Sequence, residues 1–361
     1  MSLTLRIDKG SELTFAEMDG NFTYLEDSSN SRLTTSSFNA FTGSASVTGS
    51  FTGSFAGDGS ELTGVTLEGT QYVFVTANGT DSENAVQLQD AYDTAQTMSP
   101  SASNRVKVIC GPGNYNFSTD FVMDVQYIDL VSLDGNRSVI FNGTGTISIT
   151  ANDVFVKGVD TLAKNFTVAT NLTLLKVENC VGGDFSFAGA ATASGTFINC
   201  TGGDASFGGS FPGTASGIFT NCVGGVGSFG SGNNRLASGT FTNCVGGDTS
   251  FGGSGGIASG TFTNCVSGFS SFGYNGTASG TFTDCKGGDN NFGGNGTASG
   301  VFTNCQGGNG AFGADDGLGG TGTLTGKLYY CRLTSGTFQT VSLGGITRLC
   351  IDGNDLENNQ G

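Results

Sequence analysis

The chain has 361 residues, of which 63 are glycine, 10 are cysteine and 3 are proline, and it contains no histidine and no tryptophan. Thirty acidic residues outweigh 14 basic residues, so the formal net charge at pH 7 is −16. This negative charge argues against nucleic-acid binding, no apolar run reaches the roughly 18 residues of a membrane span, and the first residues lack the long apolar core of a secretory signal.

Residues 1–30 form a separate segment with a predicted short helix. Thr14 and Glu17 have the spacing of an N-terminal capping box, and apolar residues follow at helical intervals. The stretch resembles the opening segment of many bacteriophage tail-fibre and structural proteins, which implies docking to a tail or baseplate protein of the virion. The alternative is an ordinary amphipathic helix that covers the next element. The residues predicted to dock are Leu13, Phe15, Met18, Phe22 and Leu25.

Residues 31–69 are rich in Gly, Ser and Thr and carry large apolar side chains at intervals. These apolar residues are Phe38, Phe41, Val47, Phe51 and Phe55. One extended chain cannot bury them, whereas three chains wound together could. The segment resembles the stalks of trimeric phage fibres, including their closing Gly-Asp-Gly-Ser-x-Leu-Thr-Gly motif at residues 57–64. The resemblance implies an intertwined β stalk and a homotrimer, and the alternative is a disordered linker.

Residues 70–115 are expected to open a solenoid. A strand at residues 72–75 precedes a helix predicted from Asp81 to Met98, with Asp81 or Ser82 as its N-cap, and a second strand begins at Val106. The apolar stripe predicted for this helix is Ala85, Val86, Leu88, Ala91, Tyr92 and Ala95. Gly79-Thr80-Asp81 and residues 106–115 resemble the opening of the pectin-lyase-like β-helix superfamily, which implies that the helix covers the open end of the first coil.

One sequence recurs between residues 177 and 312. Its cysteines are separated by 20, 22, 22, 21, 20 and 20 residues, with a phenylalanine three residues before most of them and another seven residues after. Such a period with fixed apolar positions is typical of a solenoid. An asparagine, once an aspartate, precedes each cysteine and is predicted to make a tight left-handed bend. The cysteines are Cys180, Cys200, Cys222, Cys244, Cys265, Cys285 and Cys305.

Like residues then lie above like, in ladders of Phe, Cys and Asn about 4.8 Å apart. The predicted fold is therefore all-β: a single-stranded right-handed parallel β-helix over residues 70–351, with an N-terminal capping helix, a preceding trimeric stalk and a polar tail at 352–361. The cysteines are expected to be reduced thiols, because their parallel side chains suit the disulfide dihedral poorly. No cofactor and no zinc site are expected, since CxxC pairs and histidine are absent.

Four aspartates of the repeat follow Gly-Gly pairs and are interpreted as turn residues. The alternatives are the carboxylate pair of a glycan-cleaving tail spike and a calcium site on adjacent coils. These residues are Asp184, Asp204, Asp248 and Asp289.

Threonines on successive coils form a third feature, as at Thr240 and Thr242. They are predicted to point outward and resemble the ice-binding face of some β-solenoid antifreeze proteins, although Ile198, Ile218 and Val301 interrupt the array.

Together these resemblances imply a bacteriophage tail fibre or spike that is structural and receptor-binding rather than enzymatic. It would assemble in the host cytoplasm, reside in the virion, and attach it to a glycan or protein of the host surface, without inserting into a membrane. The alternatives are a polysaccharide-degrading tail spike and an ice-binding or other extracellular solenoid.

Overall fold

The computed structural model describes residues 10–19, 21–22, 70–162, 164, 166–188, 191–210, 213–313, 322–335, 346–351 and 357–360, with the backbone alone at 346–349 and 357–360. The chain divides into two units, Met1–Val65 and Thr66–Gly361. The predicted stalk residues Phe38, Phe41, Val47, Phe51 and Phe55, together with Leu25, lie outside the described residues.

In the first unit, residues 15–19 and 21–22 are helical. The Thr14 backbone N–H donates to Glu17 Oε2 at 2.7 Å, and the Glu17 backbone N–H donates to Thr14 Oγ1 at 3.3 Å. The predicted capping box is therefore confirmed, because both groups satisfy an otherwise unpaired donor of the first turn.

The second unit contains one long helix and short strands. The helix is α1 (Asp81–Thr97). Up to residue 178 the strands are β1 (Gln71–Val75), β2 (Val106–Cys110), β3 (Gly113–Tyr115), β4 (Phe121–Met123), β5 (Ile128–Ser132), β6 (Val139–Phe141), β7 (Ile147–Ile149), β8 (Phe155–Lys157), β9 (Val159–Asp160), β10 (Phe166–Val168) and β11 (Lys176–Glu178).

The remaining strands belong to the regular repeats and the C-terminal coils. They are β12 (Thr192–Ala193), β13 (Thr196–Ile198), β14 (Thr214–Ala215), β15 (Ile218–Thr220), β16 (Leu236–Ala237), β17 (Thr240–Thr242), β18 (Ile257–Ala258), β19 (Thr261–Thr263), β20 (Thr277–Ala278), β21 (Thr281–Thr283), β22 (Thr297–Ala298), β23 (Val301–Thr303), β24 (Gln306–Gly307), β25 (Thr323–Leu324), β26 (Lys327–Tyr329), β27 (Arg332–Leu333), β28 (Ile346–Ile351) and β29 (Glu357–Gln360).

These strands stack as a parallel β-solenoid of about 10 turns. The longest sheet runs in the order β1-β2-β5-β8-β11-β13-β15-β17-β19-β21-β23-β26-β28, and a second sheet runs β12-β14-β16-β18-β20-β22-β25. Neighbouring strands pair in parallel and in register, so that Phe241 lies between Phe219 and Phe262. Only β28 and β29 pair antiparallel among the described strands.

Two columns of phenylalanine form the core of the regular coils. From Phe207 to Phe312, rings of one column stack at 4.7–4.9 Å on the equivalent rings of the next coil. Rings of the two columns meet edge to face at 5.5–5.9 Å. Both geometries are favourable for aromatic pairs, and the predicted phenylalanine ladders are confirmed.

The bends of each coil use left-handed backbone. The asparagines before the cysteines have positive φ, for example 54° at Asn243, as predicted. The second phenylalanine of each coil has positive φ as well, for example 48° at Phe272, which is uncommon for a bulky residue and was not predicted. Gly239 is needed for close approach, because a Cβ there would lie 2.2 Å from the Gly217 carbonyl oxygen.

Helix α1 packs on β1, β2 and β3, and two details of its prediction were wrong. Its N-cap is Thr80 rather than Asp81 or Ser82, since Thr80 and Glu83 form a capping box. Val86 is 58% exposed rather than part of the apolar stripe, and Asn84 is buried instead. Asn84 is held there by its Nδ2 donating to the Asn114 carbonyl oxygen at 3.0 Å.

Candidate functional site

The most regular surface of the molecule is the outer side of the longest sheet over the repeats. We call it the Thr/Asn face. In-register pairing aligns its side chains in columns that run from coil to coil. Its residues are Thr220, Thr240, Thr242, Thr261, Thr263, Thr281, Thr283 and Thr303, with Asn221, Asn243, Asn264, Asp284 and Asn304 beside them.

The face is a grid of hydroxyl and amide groups. The stacked phenylalanine rings give a separation of 4.7–4.9 Å between coils. Along a strand, two threonines on one side of the sheet are separated by about 6.6–6.8 Å. Thr240, Thr261 and Thr281 are exposed, because the intervening phenylalanines take the inward positions of the same strands.

The asparagines form a hydrogen-bonded ladder along the edge of this face. Asn243 Nδ2 donates to Asn221 Oδ1 at 3.0 Å, and Asn264 Nδ2 donates to Asn243 Oδ1 at 2.9 Å. At its first coil, Asn179 Nδ2 donates to the Gly135 carbonyl oxygen at 3.2 Å. Each amide is therefore oriented by its neighbours, with its nitrogen facing the preceding coil.

The loop that supports the first asparagine is organised by Asp134. Its Oδ1 accepts from the hydroxyls of Ser132 and Ser138 at 2.5 and 2.7 Å and from the Asn136 N–H at 2.9 Å. These bonds lower the pKa of Asp134 to about 2. The stabilising contribution is present above the ordinary pKa of about 3.9 and is lost as pH falls through 2.

Asp284 breaks the ladder, which leads to a prediction. Its Oδ1 accepts from Asn304 Nδ2 at 2.6 Å, but a carboxylate has no N–H to donate to Asn264. Asp284→Asn is expected to complete the ladder and raise the free energy of unfolding by about 0.5–1.5 kcal/mol, measured by denaturant unfolding. The reverse change, Asn264→Asp, removes the donor to Asn243 and is expected to lower it. Equal effects of both changes would contradict the ladder account.

The four turn aspartates support the backbone of the next coil. Asp184 Oδ1 accepts from the Asp204 N–H at 2.8 Å, and Asp204 Oδ1 accepts from the Val226 N–H at 2.7 Å. Asp248 and Asp289 do the same for Phe269 and Asn309. The predicted turn role is confirmed, and their alternative roles in glycan cleavage or calcium binding remain predictions.

The turns that hold these aspartates, or the equivalent turns of other coils, also carry exposed apolar side chains that the periodicity did not identify. Phe185 and Phe269 are 54% and 55% exposed, and Val226 is exposed as well. Their positions, four or five residues after a cysteine rather than three before or seven after, are the signal that separates them from the core phenylalanines.

An ion-pair cluster in the first coils was also missed. Arg105 donates to both carboxylate oxygens of Asp129, from Nη2 at 2.8 Å and from Nε at 3.1 Å, and from Nη1 to Asp153 at 2.7 Å. Asp129 is buried, and its Oδ1 also accepts from the Phe155 N–H at 2.9 Å. These hydrogen bonds raise the pKa of Arg105 further above its ordinary value. An aspartate inside the apolar strand β5 was the feature of the sequence that could have indicated this cluster.

Of the predicted docking residues, Phe15, Met18 and Phe22 lie on the short helix of the first unit, and Leu13 precedes it. Phe15 and Phe22 are 84% and 70% exposed, and Leu13 and Met18 are half-buried. Among the described residues, no helix has the length and apolar character to cross a bilayer. In the same part of the chain, no three or more His, Cys, Asp or Glu side chains are grouped so as to hold a metal ion.

Comparison of the chain with protein-family models, with curated proteins and with solved structures finds no match.

Proposed function

We propose that the chain is a tail fibre or spike of a bacteriophage, in which the solenoid is a shaft whose Thr/Asn face binds a receptor on the host surface. The observation that carries this proposal is the in-register repetition of the same hydroxyl and amide groups over successive coils. A surface that repeats at every coil suits a ligand that itself repeats, such as a surface polysaccharide. Hydroxyl and amide groups both donate and accept hydrogen bonds, as sugar hydroxyls require.

The finer architecture belongs to the same proposal. The solenoid is a right-handed β-helix, and α1 covers the open end of its first coil, where unpaired strand groups would otherwise invite association. Residues 1–30 dock on a tail or baseplate protein, supported by the exposure of Phe15 and Phe22. Residues 31–69 form the trimeric stalk, supported by their motif and by the apolar side chains that one chain cannot bury.

The stalk makes the protein a homotrimer. Deleting residues 1–66 is expected to leave a folded β-rich protein of lower oligomeric order, because the solenoid buries its own phenylalanine columns. Light scattering and circular dichroism on the full-length and truncated chains measure both properties. A monomeric full-length protein would refute the stalk, and a trimer that persists after truncation would move the interface to the solenoid.

The Thr/Asn face provides the test of receptor binding. Replacing Thr242, Thr263 and Thr283 together by valine removes three hydroxyls and keeps β-branched side chains of similar volume. Binding of the labelled variant to host cells or to their isolated polysaccharide is expected to fall at least about tenfold, which corresponds to 1.4 kcal/mol. The matched control replaces Thr214, Thr277 and Thr297 of the second sheet by valine and is expected to bind normally. Equal binding by both variants would exclude this face.

Glycan cleavage is a separate outcome of the same experiment. We expect the polysaccharide to keep its chain length after incubation with the protein. Shortening that disappears with Asp204→Asn or Asp248→Asn would make the protein a depolymerase.

Ice binding is a second candidate, favoured by one observation. Thr220, Thr242, Thr263, Thr283 and Thr303 form a column on successive coils. Ile198 precedes Thr220 in this column, while Ile218 and Val301 lie in the neighbouring column. Thermal hysteresis of the purified protein tests this function, and its absence would exclude it.

A further inference from the structure

Nine cysteines form a single column inside the solenoid, which we call the thiol column. They are buried and form no disulfides with one another. Nothing in the proposed function uses them. They are Cys180, Cys200, Cys222, Cys244, Cys265, Cys285, Cys305, Cys331 and Cys350.

Their side chains share one orientation. Cys244 Sγ lies 3.4 Å from the Phe219 carbonyl oxygen of the preceding coil and 3.5 Å from the Thr242 carbonyl oxygen of its own coil, and its one S–H donates between these two acceptors. From Cys200 to Cys331, the equivalent pairs of contacts all fall between 3.3 and 3.5 Å. Successive thiols are thus related by the translation that relates successive coils.

That translation fixes the distance between neighbouring sulfurs. Phenylalanine rings of the same coils stack at 4.7–4.9 Å, so the sulfurs are separated by a similar distance. A disulfide needs sulfurs about 2.05 Å apart. The Cα atoms of neighbouring coils already lie within the range that a disulfide allows, but joining two sulfurs would require both side chains to rotate out of their shared parallel orientation. The column therefore resists oxidation to disulfides.

We propose that the gaps of the thiol column bind soft monovalent metal ions, Cu(I) or Ag(I), each held by two sulfurs in a line. A zinc–thiolate bond is about 2.3 Å long. If the bonds to these soft ions have a similar length, a linear S–metal–S unit spans about 4.6 Å, close to the coil separation. Thiolate sulfur is a ligand that Cu(I) prefers. Each gap offers two ligands rather than a converging group of three, which suits a two-coordinate ion.

Charge balance favours this reaction in a buried site. One thiol loses its proton and forms a bond to the ion, while the second sulfur donates a lone pair: Cys–SH + M⁺ gives Cys–S–M + H⁺. The net charge of the column does not change, so the cost of an isolated buried charge is avoided. Because the metal displaces a thiol proton, affinity is expected to increase with pH.

The experiment uses Ag(I), which has the same charge and softness and resists redox change. Full-length protein is incubated to equilibrium with silver nitrate in buffer without chloride or thiols, desalted, and analysed for metal. Nine thiols enclose eight gaps, so the expected limit is eight ions per chain, with one proton released for each ion. Folding is retained and Tm rises, because the ions bind the folded state.

Two variants make the test specific. Cys244→Ala removes the gaps on both sides of one thiol and is expected to lower the number of retained ions by two. Cys110→Ala is the matched control, because Cys110 is a buried cysteine that lies between Val75 and Ser132 of the neighbouring strands, and it is expected to leave the number unchanged. Cys265→Ala repeats the test at a second coil.

Three results would overturn the proposal: no retained silver, the same retention in Cys244→Ala as in the unchanged protein, or retention accompanied by loss of the β circular dichroism signal. The last would mean that the thiols react only in the unfolded chain.

Discussion

Replacing Phe272 by alanine is expected to lower the free energy of unfolding by about 3–5 kcal/mol. Its ring stacks on Phe251 at 4.9 Å and on Phe292 at 4.8 Å, and it meets Phe262 and Phe282 edge to face. In-register strands hold the neighbouring rings in place, so the core cannot collapse into the cavity. Denaturant unfolding followed by circular dichroism measures the loss.

Phe269 is the matched control for this change. It lies three residues earlier in the same coil, but its side chain is 55% exposed. Phe269→Ala removes the same atoms largely from water, and surface substitutions of this kind usually change stability by no more than about 0.5 kcal/mol. Similar losses for the two variants would contradict the assignment of Phe272 to the stabilising column.

Replacing Arg105 by methionine is expected to have an effect of similar size, about 3–5 kcal/mol, because breaking a buried ion pair leaves an uncompensated charge. The charge is that of Asp129, which is 1% exposed and loses two hydrogen bonds at once. Since Arg105 also pairs with Asp153, the change removes the ion pairs that link three successive coils at the start of the solenoid. Thermal and denaturant unfolding measure the loss.

Two further variants distinguish buried charge from lost packing. Arg105→Met combined with Asp129→Asn is expected to recover part of the stability, because the remaining buried group is then neutral. Lys157→Met is the comparison: Lys157 Nζ lies 2.7 Å from Glu178, whose side chain is 19% exposed against 2% for Asp129. Glu178 also keeps Lys176 as a second partner, so a smaller loss is expected than for Arg105→Met. If the double variant is no more stable than Arg105→Met, lost packing rather than charge explains the effect.

The regular solenoid was predictable from the sequence to an unusual depth. The spacing of Cys244 from Phe241 and Phe251 placed all three inside, and Asn243 was assigned its left-handed bend. This succeeded because every coil lies on a near copy of itself, so the tertiary surroundings of a residue are repeated in the sequence. The Thr/Asn face followed from the same alternation of inward and outward side chains.

The sequence by itself thus determined the period, the columns of like residues and the solenoid class. Only the tertiary structure decided which group each polar atom meets: the direction of the Asn ladder, its break at Asp284, and the thiol contacts that set the sulfur separation. The tertiary structure also decided the burial of Asp129, the choice of Thr80 as N-cap and the exposure of Val86, because these residues lie outside the repeats. The physical reason is that these contacts depend on a few ångströms between residues about 20 or more positions apart, and no local pattern encodes such distances where neighbouring coils differ.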